Sequence, residues 1–424
     1  MNMRMLNPRL LLVLVVTVST AVWIFYKPLF AYEKYVSANA MFNYLLFYAL
    51  IFVCCFFTEK LSLARPGEAP LDRFRRAHEK GNALRREAVA LAAVAFAAQL
   101  LWIARIVAYA GAGPVFRLVF VEQNILKFKE QIVNVTGISG VTTLTQLGML
   151  ASSLYAIHVF GLKRKGSVWL WAFILFPGTL RGLLFSERIA LLEVIVPIVV
   201  VAVLFGRIRV TLTKVVLAVA AVVLFFSAAE GLRSYQFYAK NGFAQEGVYG
   251  YGLGRFLDYI SSSVNHSMAM VDLSGRTFGF PTLLFNGWIN FLYTVVPESA
   301  VRSFLHMNDA LQAYKNVKAS PYSAADYTNM GYFGEIFADV GYLYVVYAVL
   351  YGWFLGMAFK GVRQYEVGWM MIYPTVFFSL LESYRVHYLF DNRVFYPLLY
   401  LVLRYLFLSF QQSRGRPLYA AKTH

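Results

Sequence analysis

Cysteine is almost missing from this chain. The two that occur, Cys54 and Cys55, are adjacent inside an apolar run. They supply neither a zinc ligand set nor the distant pair of a structural disulfide. Charge is also scarce. Only 14% of residues are Asp, Glu, Lys or Arg, against about 25% in a soluble domain. Acids are the scarcer sign: 22 against 39 basic residues, a net +17. The chain has no Walker A sequence, no His-Glu-x-x-His, no Gly-x-Ser-x-Gly and no Asp-x-Asp. ATP hydrolysis, zinc chemistry and use of a metal-bound sugar nucleotide therefore have no support. What is plentiful is apolar. Hydrophobic residues make up 59% of the chain, aromatics 17%, and mean hydropathy is +0.57. That composition points to a polytopic membrane protein rather than a soluble enzyme or a disordered chain. The basic residues are scattered between apolar runs, so nucleic acid is not an expected partner.

A helix needs about 20 apolar residues to cross a bilayer. Ten runs are read as spans: 10–27, 40–57, 88–112, 140–162, 167–184, 189–206, 210–229, 341–359, 367–382 and 395–411. A very short turn near Phe185–Arg188 separates two of them. Residues 281–296 are apolar but broken by Asn286, Gly287 and Asn290, with Trp288 between, so they read as re-entrant or interfacial. The first run is read as an uncleaved anchor. Lys and Arg concentrate in 1–9, 58–87, 163–166, 207–214, 360–366 and 412–424. Basic short loops stay cytoplasmic, which puts both termini and the basic loop 58–87 inside and the large loop 230–340 outside. No repeat or separate soluble domain is visible, so 1–424 reads as one membrane domain.

The expected outside half is unusually rich in arginine: Arg117, Arg181, Arg188, Arg233, Arg255, Arg276, Arg302, Arg385 and Arg393. Arg105 and Arg404 fall within spans, where a charge is costly and faces a cavity or a partner. A guanidinium grips phosphate through two parallel bonds, so converging arginines suit a lipid-linked pyrophosphate. The alternative is pairing with Glu187, Glu193, Glu230, Asp258, Asp272 or Asp391. Leu253–Asp272 reads as an amphipathic helix with Arg255, Ser262 and His266 on one stripe, extended by Asp258 and Asn265. That stripe either lines a cleft, with His266 accepting a proton, or is the solvated face of a surface helix. Glu335 and Asp339 lie one turn apart, suited to acid–base work or to neutralising arginines. Tyr384–Arg393 packs Arg385, His387, Asp391 and Arg393 into one short loop, suited to sugar stacking and phosphate contact or to an interfacial aromatic belt.

Four features resemble the bacterial oligosaccharide repeat-unit polymerases, the Wzy or O-antigen polymerase group. These are the ten spans with both ends inside, the Phe185-Ser-Glu-Arg-Ile-Ala-Leu-Leu stretch, the loop with Gly254-Arg-Phe-Leu-Asp-Tyr-Ile before Asn265-His266, and the run from Asn329 through Gly334-Glu335 and Asp339 to Gly341. His266-Ser267 is followed by Gly275 and Gly279, a spacing that departs from the related O-antigen ligases. The resemblance implies an all-helical, GT-C-like glycosyltransferase of the bacterial inner membrane, working on the periplasmic face without cofactor or metal. Donor and acceptor would be glycans on undecaprenyl pyrophosphate, with membrane lipids and a chain-length regulator as further partners. Arg181, Arg188, Arg233, Arg255, Arg276, Arg385 and Arg393 would hold the pyrophosphate. Arg188 would stabilise the leaving group, and Glu335 or His266 would act as base or orient the acceptor. A ligase moving the same donor, and a lipid-linked-sugar flippase without chemistry, are the rival readings.

Overall fold

The computed structural model describes the chain apart from residues 1–2, 30–31, 62–69, 79–81, 118–127, 129–130, 133, 138–140, 185–187, 241–246, 276, 280, 282–283, 285–288, 290–295, 298, 302–306, 324–328, 390–391 and 414–424. Residues 185–187 of the expected turn and most of 281–296 thus lie outside the described residues. Every described element is helical, and no strand occurs among them.

Helices occupy all ten apolar runs. They are α1 (Pro8–Phe25), α2 (Ala38–Lys60), α4 (Ala83–Ala110), α5 (Leu147–Ala156, continued by a wider turn over Ile157–Gly161), α6 (Val168–Leu184), α7 (Arg188–Leu204), α8 (Leu212–Lys240), α12 (Tyr344–Arg363), α13 (Val367–Leu381) and α14 (Asn392–Ser413). Between them lie α3 (Pro70–His78), α9 (Gly247–Leu273), α10 (Met307–Lys318) and α11 (Tyr332–Val340). Four helices, α1, α2, α4 and α12, are long and apolar enough to cross a membrane. The helix expected at 253–272 begins earlier, at Gly247, and the one expected at 210–229 continues to Lys240. Leu10, Leu14, Phe42, Val53, Leu217, Leu224, Leu350, Trp353, Leu403 and Phe407 are all exposed. Apolar surface on this scale needs a nonaqueous neighbour.

The helix ends alternate between two poles. At one pole Glu59, at the end of α2, bridges Arg9 at the start of α1 (2.6 Å) and Arg363 at the end of α12 (3.2 Å). The Tyr373 hydroxyl of α13 donates to the Leu6 carbonyl there. Phe205, just past α7, packs its ring at a tilt against Tyr365 and against Phe74 of α3. The other pole carries the end of α1, the starts of α2 and α12, and the whole of α9 and α11.

One seam shows why the cysteines are where they are. Gly352 and Gly356 of α12 sit one turn apart against α2. A methyl at 352 would meet the Ile51 carbonyl at 2.5 Å and Cys54 at 2.9 Å, and one at 356 would meet Thr58 at 2.6 Å. Small residues on both helices let the backbones close up.

At the second pole the described residues joining α1 to α2, 26–29 and 32–37, form a non-helical strap along α9. Tyr26 donates to the Gly254 carbonyl (3.1 Å), the Leu29 amide to Asp258 (3.1 Å), and Tyr32 to Ser261 (2.7 Å). Tyr35 and Asn39 donate to Asp272 at 2.8 and 2.7 Å. Asn265 makes four bonds. Its Oδ1 accepts from Trp23 Nε1 (3.0 Å) and the Tyr35 amide (2.7 Å), and its Nδ2 donates to the carbonyls of Glu33 (3.0 Å) and Tyr322 (2.8 Å). Backbone outside a helix lacks a helix's internal partners, and buried amide groups need partners. The polar side chains of α9 supply them.

On its far side α9 meets the start of α11 through Gly331. This residue has φ +74°, and a methyl there would overlap the Ser263 carbonyl and the Ser267 hydroxyl. Gly331→Ala is therefore expected to cost on the order of 2–4 kcal/mol, from strain plus overlap. Thermal unfolding in detergent checks this; an unchanged melting temperature would show that the crossing relaxes freely.

Candidate functional site

The expected site residues divide into three groups. Arg276 lies outside the described residues. Arg188 opens α7, Arg233 lies on α8 and Arg393 lies on α14, but their side chains are outside the described set. Arg181, Arg255, His266, Glu335 and Arg385 are described in full.

Arg181 belongs to a packing junction of α5, α6 and α7. It is buried and lies 3.5 Å from the equally buried Glu193, with its Nη1 donating to Thr145 (3.3 Å). Turning the Gln146 amide lets its oxygen accept from Arg181 (2.7 Å) and its nitrogen donate to Glu193 (2.8 Å). This is the carboxylate pairing weighed above as the alternative to phosphate binding. Arg404 is likewise held, by Glu87 of α4 at 2.6 Å, with Tyr400 donating to the same carboxylate.

The remaining four gather around α9 and α11. The two alternatives for the α9 stripe were a cleft lining and a solvated face, and the face is not solvated: Arg255, Asp258, Ser262, Asn265 and His266 are all buried. Arg255 lies 5.4 Å over the ring of the half-exposed Tyr259. The same Tyr259 is within electrostatic reach of Arg385, in the loop between α13 and α14. Burial opposes the Arg385 charge. The surrounding Tyr388, Glu382, Tyr384 and Tyr259 outweigh that and hold its pKa above the ordinary guanidinium value. Arg385 pairs with Glu382 (3.4 Å) and donates to the Tyr388 hydroxyl (2.9 Å). The ion pair and hydrogen bond of Arg385 thus stay within its own loop, while Arg255 lies over the Tyr259 ring.

Glu335 and Asp339 sit on one helix as their spacing implies, but each serves a different backbone amide. Glu335, half-buried, accepts from the His387 amide (2.7 Å), and Asp339, buried, from the Leu284 amide (2.8 Å). Glu335 thereby fixes the loop that carries Arg385. His266 lies on the α9–α11 crossing. Its Nδ1 donates to the Asn329 carbonyl (2.8 Å), which leaves Nε2 as the unprotonated nitrogen, with no hydrogen-bond partner among the described residues. Burial lowers its pKa, only partly offset by the Asn329 carbonyl, and the charge of Lys318 lowers it further. The imidazole is neutral and can accept a proton at Nε2.

Sequence reasoning placed His387 in the loop but missed what holds it. Its ring stacks on Tyr332 of α11 (4.8 Å, 2° between planes), and its Nε2 takes the hydroxyl of Tyr347 (2.5 Å), which also meets the Tyr332 hydroxyl (3.0 Å). The spacing Tyr344, Tyr347, Tyr351 on one face of α12 was the available signal. Burial pushes the His387 pKa down to about 3. A histidine depressed in the folded state costs stability as pH falls, because the unfolded chain takes up the proton first. The melting temperature should decline between about pH 6.5 and pH 3, and His387→Gln should flatten that decline. Equal slopes for both proteins would remove His387 as its source.

Compared with protein families, curated proteins and solved structures, the chain matches none, so the functional reading rests on its own residues.

Proposed function

We propose that the chain polymerises oligosaccharide repeat units carried on undecaprenyl pyrophosphate, at the outer face of the bacterial inner membrane. The observation that carries the reading is that buried Arg255, lying over the half-exposed Tyr259, is at the same pole as His266 and as the Arg385 loop that Glu335 holds. In this reading all ten apolar helices cross the membrane in a GT-C-like arrangement, with the Glu59 pole cytoplasmic and the α9–α11 pole periplasmic. The acceptor hydroxyl attacks the anomeric carbon of the donor glycan. The bond from that carbon to the pyrophosphate oxygen breaks, and undecaprenyl pyrophosphate leaves with the electron pair. The two guanidinium groups offset the charge that builds on the departing oxygen. Arg188, Arg233, Arg276 and Arg393 are the further candidates for that cradle. His266 Nε2 takes the acceptor proton. Glu335 positions the Arg385 loop. Tyrosines at this pole offer faces for sugar rings.

The test is a ladder assay with purified protein and undecaprenyl-pyrophosphate-linked repeat units. A ladder of products that is indifferent to chelator is expected. Transfer of an intact glycan only when another acceptor is supplied would replace polymerase by ligase. No transfer in either case would replace chemistry by transport.

A further inference from the structure

The opposite pole carries a second concentration of positive charge, and the reading above does not use it. α3 is a nine-residue helix of mostly polar side chains whose single buried residue is Phe74, seated on Phe205. Arg75 Nε donates to the Gly161 carbonyl (3.2 Å), tying α3 to the turn that ends α5. Between them opens a cleft of about 420 Å³, lined by Asp72, Arg75, Arg76, Leu162, Lys163 and Arg164. Four cationic side chains from two elements far apart in sequence thus face one space, with one carboxylate among them.

Two further observations point the same way. Lys163 holds a left-handed backbone, φ 54°, a conformation that costs a side-chain-bearing residue about 1–2 kcal/mol. The turn keeps a lysine there rather than glycine, so the cost is accepted where the charge faces the cleft. Behind the turn His158 is buried, and its Nδ1 has no hydrogen-bond partner among the described residues. The charges that reach its ring are those of Arg85 and Arg164.

We propose that this cleft binds a phosphate group, either the headgroup diester of an anionic phospholipid or free phosphate. Arg75 and Arg76 would hold it from α3, and Lys163 and Arg164 from the turn. Guanidinium and ammonium donors make short, charge-assisted bonds to phosphate oxygens. A single site fed from two elements would also clamp α3 to the bundle.

The experiment uses the full chain in an uncharged detergent, with binding read by native mass spectrometry and by the shift in melting temperature. The probes are short-chain phosphatidylglycerol, phosphatidylcholine and inorganic phosphate. Arg76→Gln/Lys163→Gln should weaken binding by about 100-fold or more, the loss expected for two charge-assisted contacts. Lys27→Gln, at the other pole, should leave it unchanged. Arg76 and Lys163 are exposed, so the ligand-free melting temperature should stay at the wild-type value. If it falls, Arg164→Gln is read in its place. Preference for phosphatidylglycerol identifies a lipid headgroup, and saturable binding of inorganic phosphate without that preference identifies a soluble anion. Binding of neither, or binding that the substitutions leave intact, overturns the site.

Discussion

Arg255→Ala is expected to reduce ladder formation by about 100- to 1,000-fold, the usual effect of deleting one preorganised donor to a developing oxyanion. The expectation rests on place. Arg255 is buried, so its charge is little screened, and it lies over the ring of the half-exposed Tyr259. Arg255→Lys keeps the charge but loses the planar fork, and should fall between Ala and wild type. Arg181→Ala is the contrast. It breaks the buried pair with Glu193 and should lower the melting temperature, with residual activity tracking the folded fraction. Full activity in Arg255→Ala would discard the cradle while leaving the polymerase open. Equal losses per folded molecule at 181 and 255 would show that α9 carries no special role.

Asn265→Ala is expected to be the most destabilising substitution in the strap, at about 3–5 kcal/mol. Four bonds disappear at once. The buried Trp23 Nε1, the Tyr35 amide and the carbonyls of Glu33 and Tyr322 each lose this partner. Asn265→Asp keeps the acceptor, loses both donations and adds a charge, so it should not rescue. Thermal unfolding in detergent decides the matter. A wild-type melting temperature for Asn265→Ala would mean that water takes over the strap.

The positions of the helices were legible because apolar runs of span length signal themselves without reference to anything distant. Helix ends were less so, as at Gly247 and Lys240, where the helices run past the ends of the apolar runs. The pairing of Arg181 with Glu193 was among the alternatives the composition offered, since the two lie only twelve positions apart. The pairing of Arg404 with Glu87 was not, because the partners are 317 residues apart. The residues grouped on the α9 stripe are all buried, and they face different groups. Asp258 and Asn265 satisfy backbone amides of a segment near the N-terminus, while Arg255 and His266 face other groups. Amphipathic spacing reports which side chains share a face; it carries no information about which chain segment lies opposite.

The strap also sets an order of events during synthesis. Its hydrogen-bond partners on α9 lie 228–237 residues downstream. A ribosome adding about 5–20 residues per second needs roughly 10–50 seconds to reach them. Through that interval α1 and α2 are already made, yet the amides of Leu29 and Tyr35 and the carbonyl of Glu33 have only water to bond. The first hairpin of the protein is thus completed by its middle, and a nascent chain stopped before residue 254 should expose 26–37 to protease while a chain extended beyond residue 273 protects it.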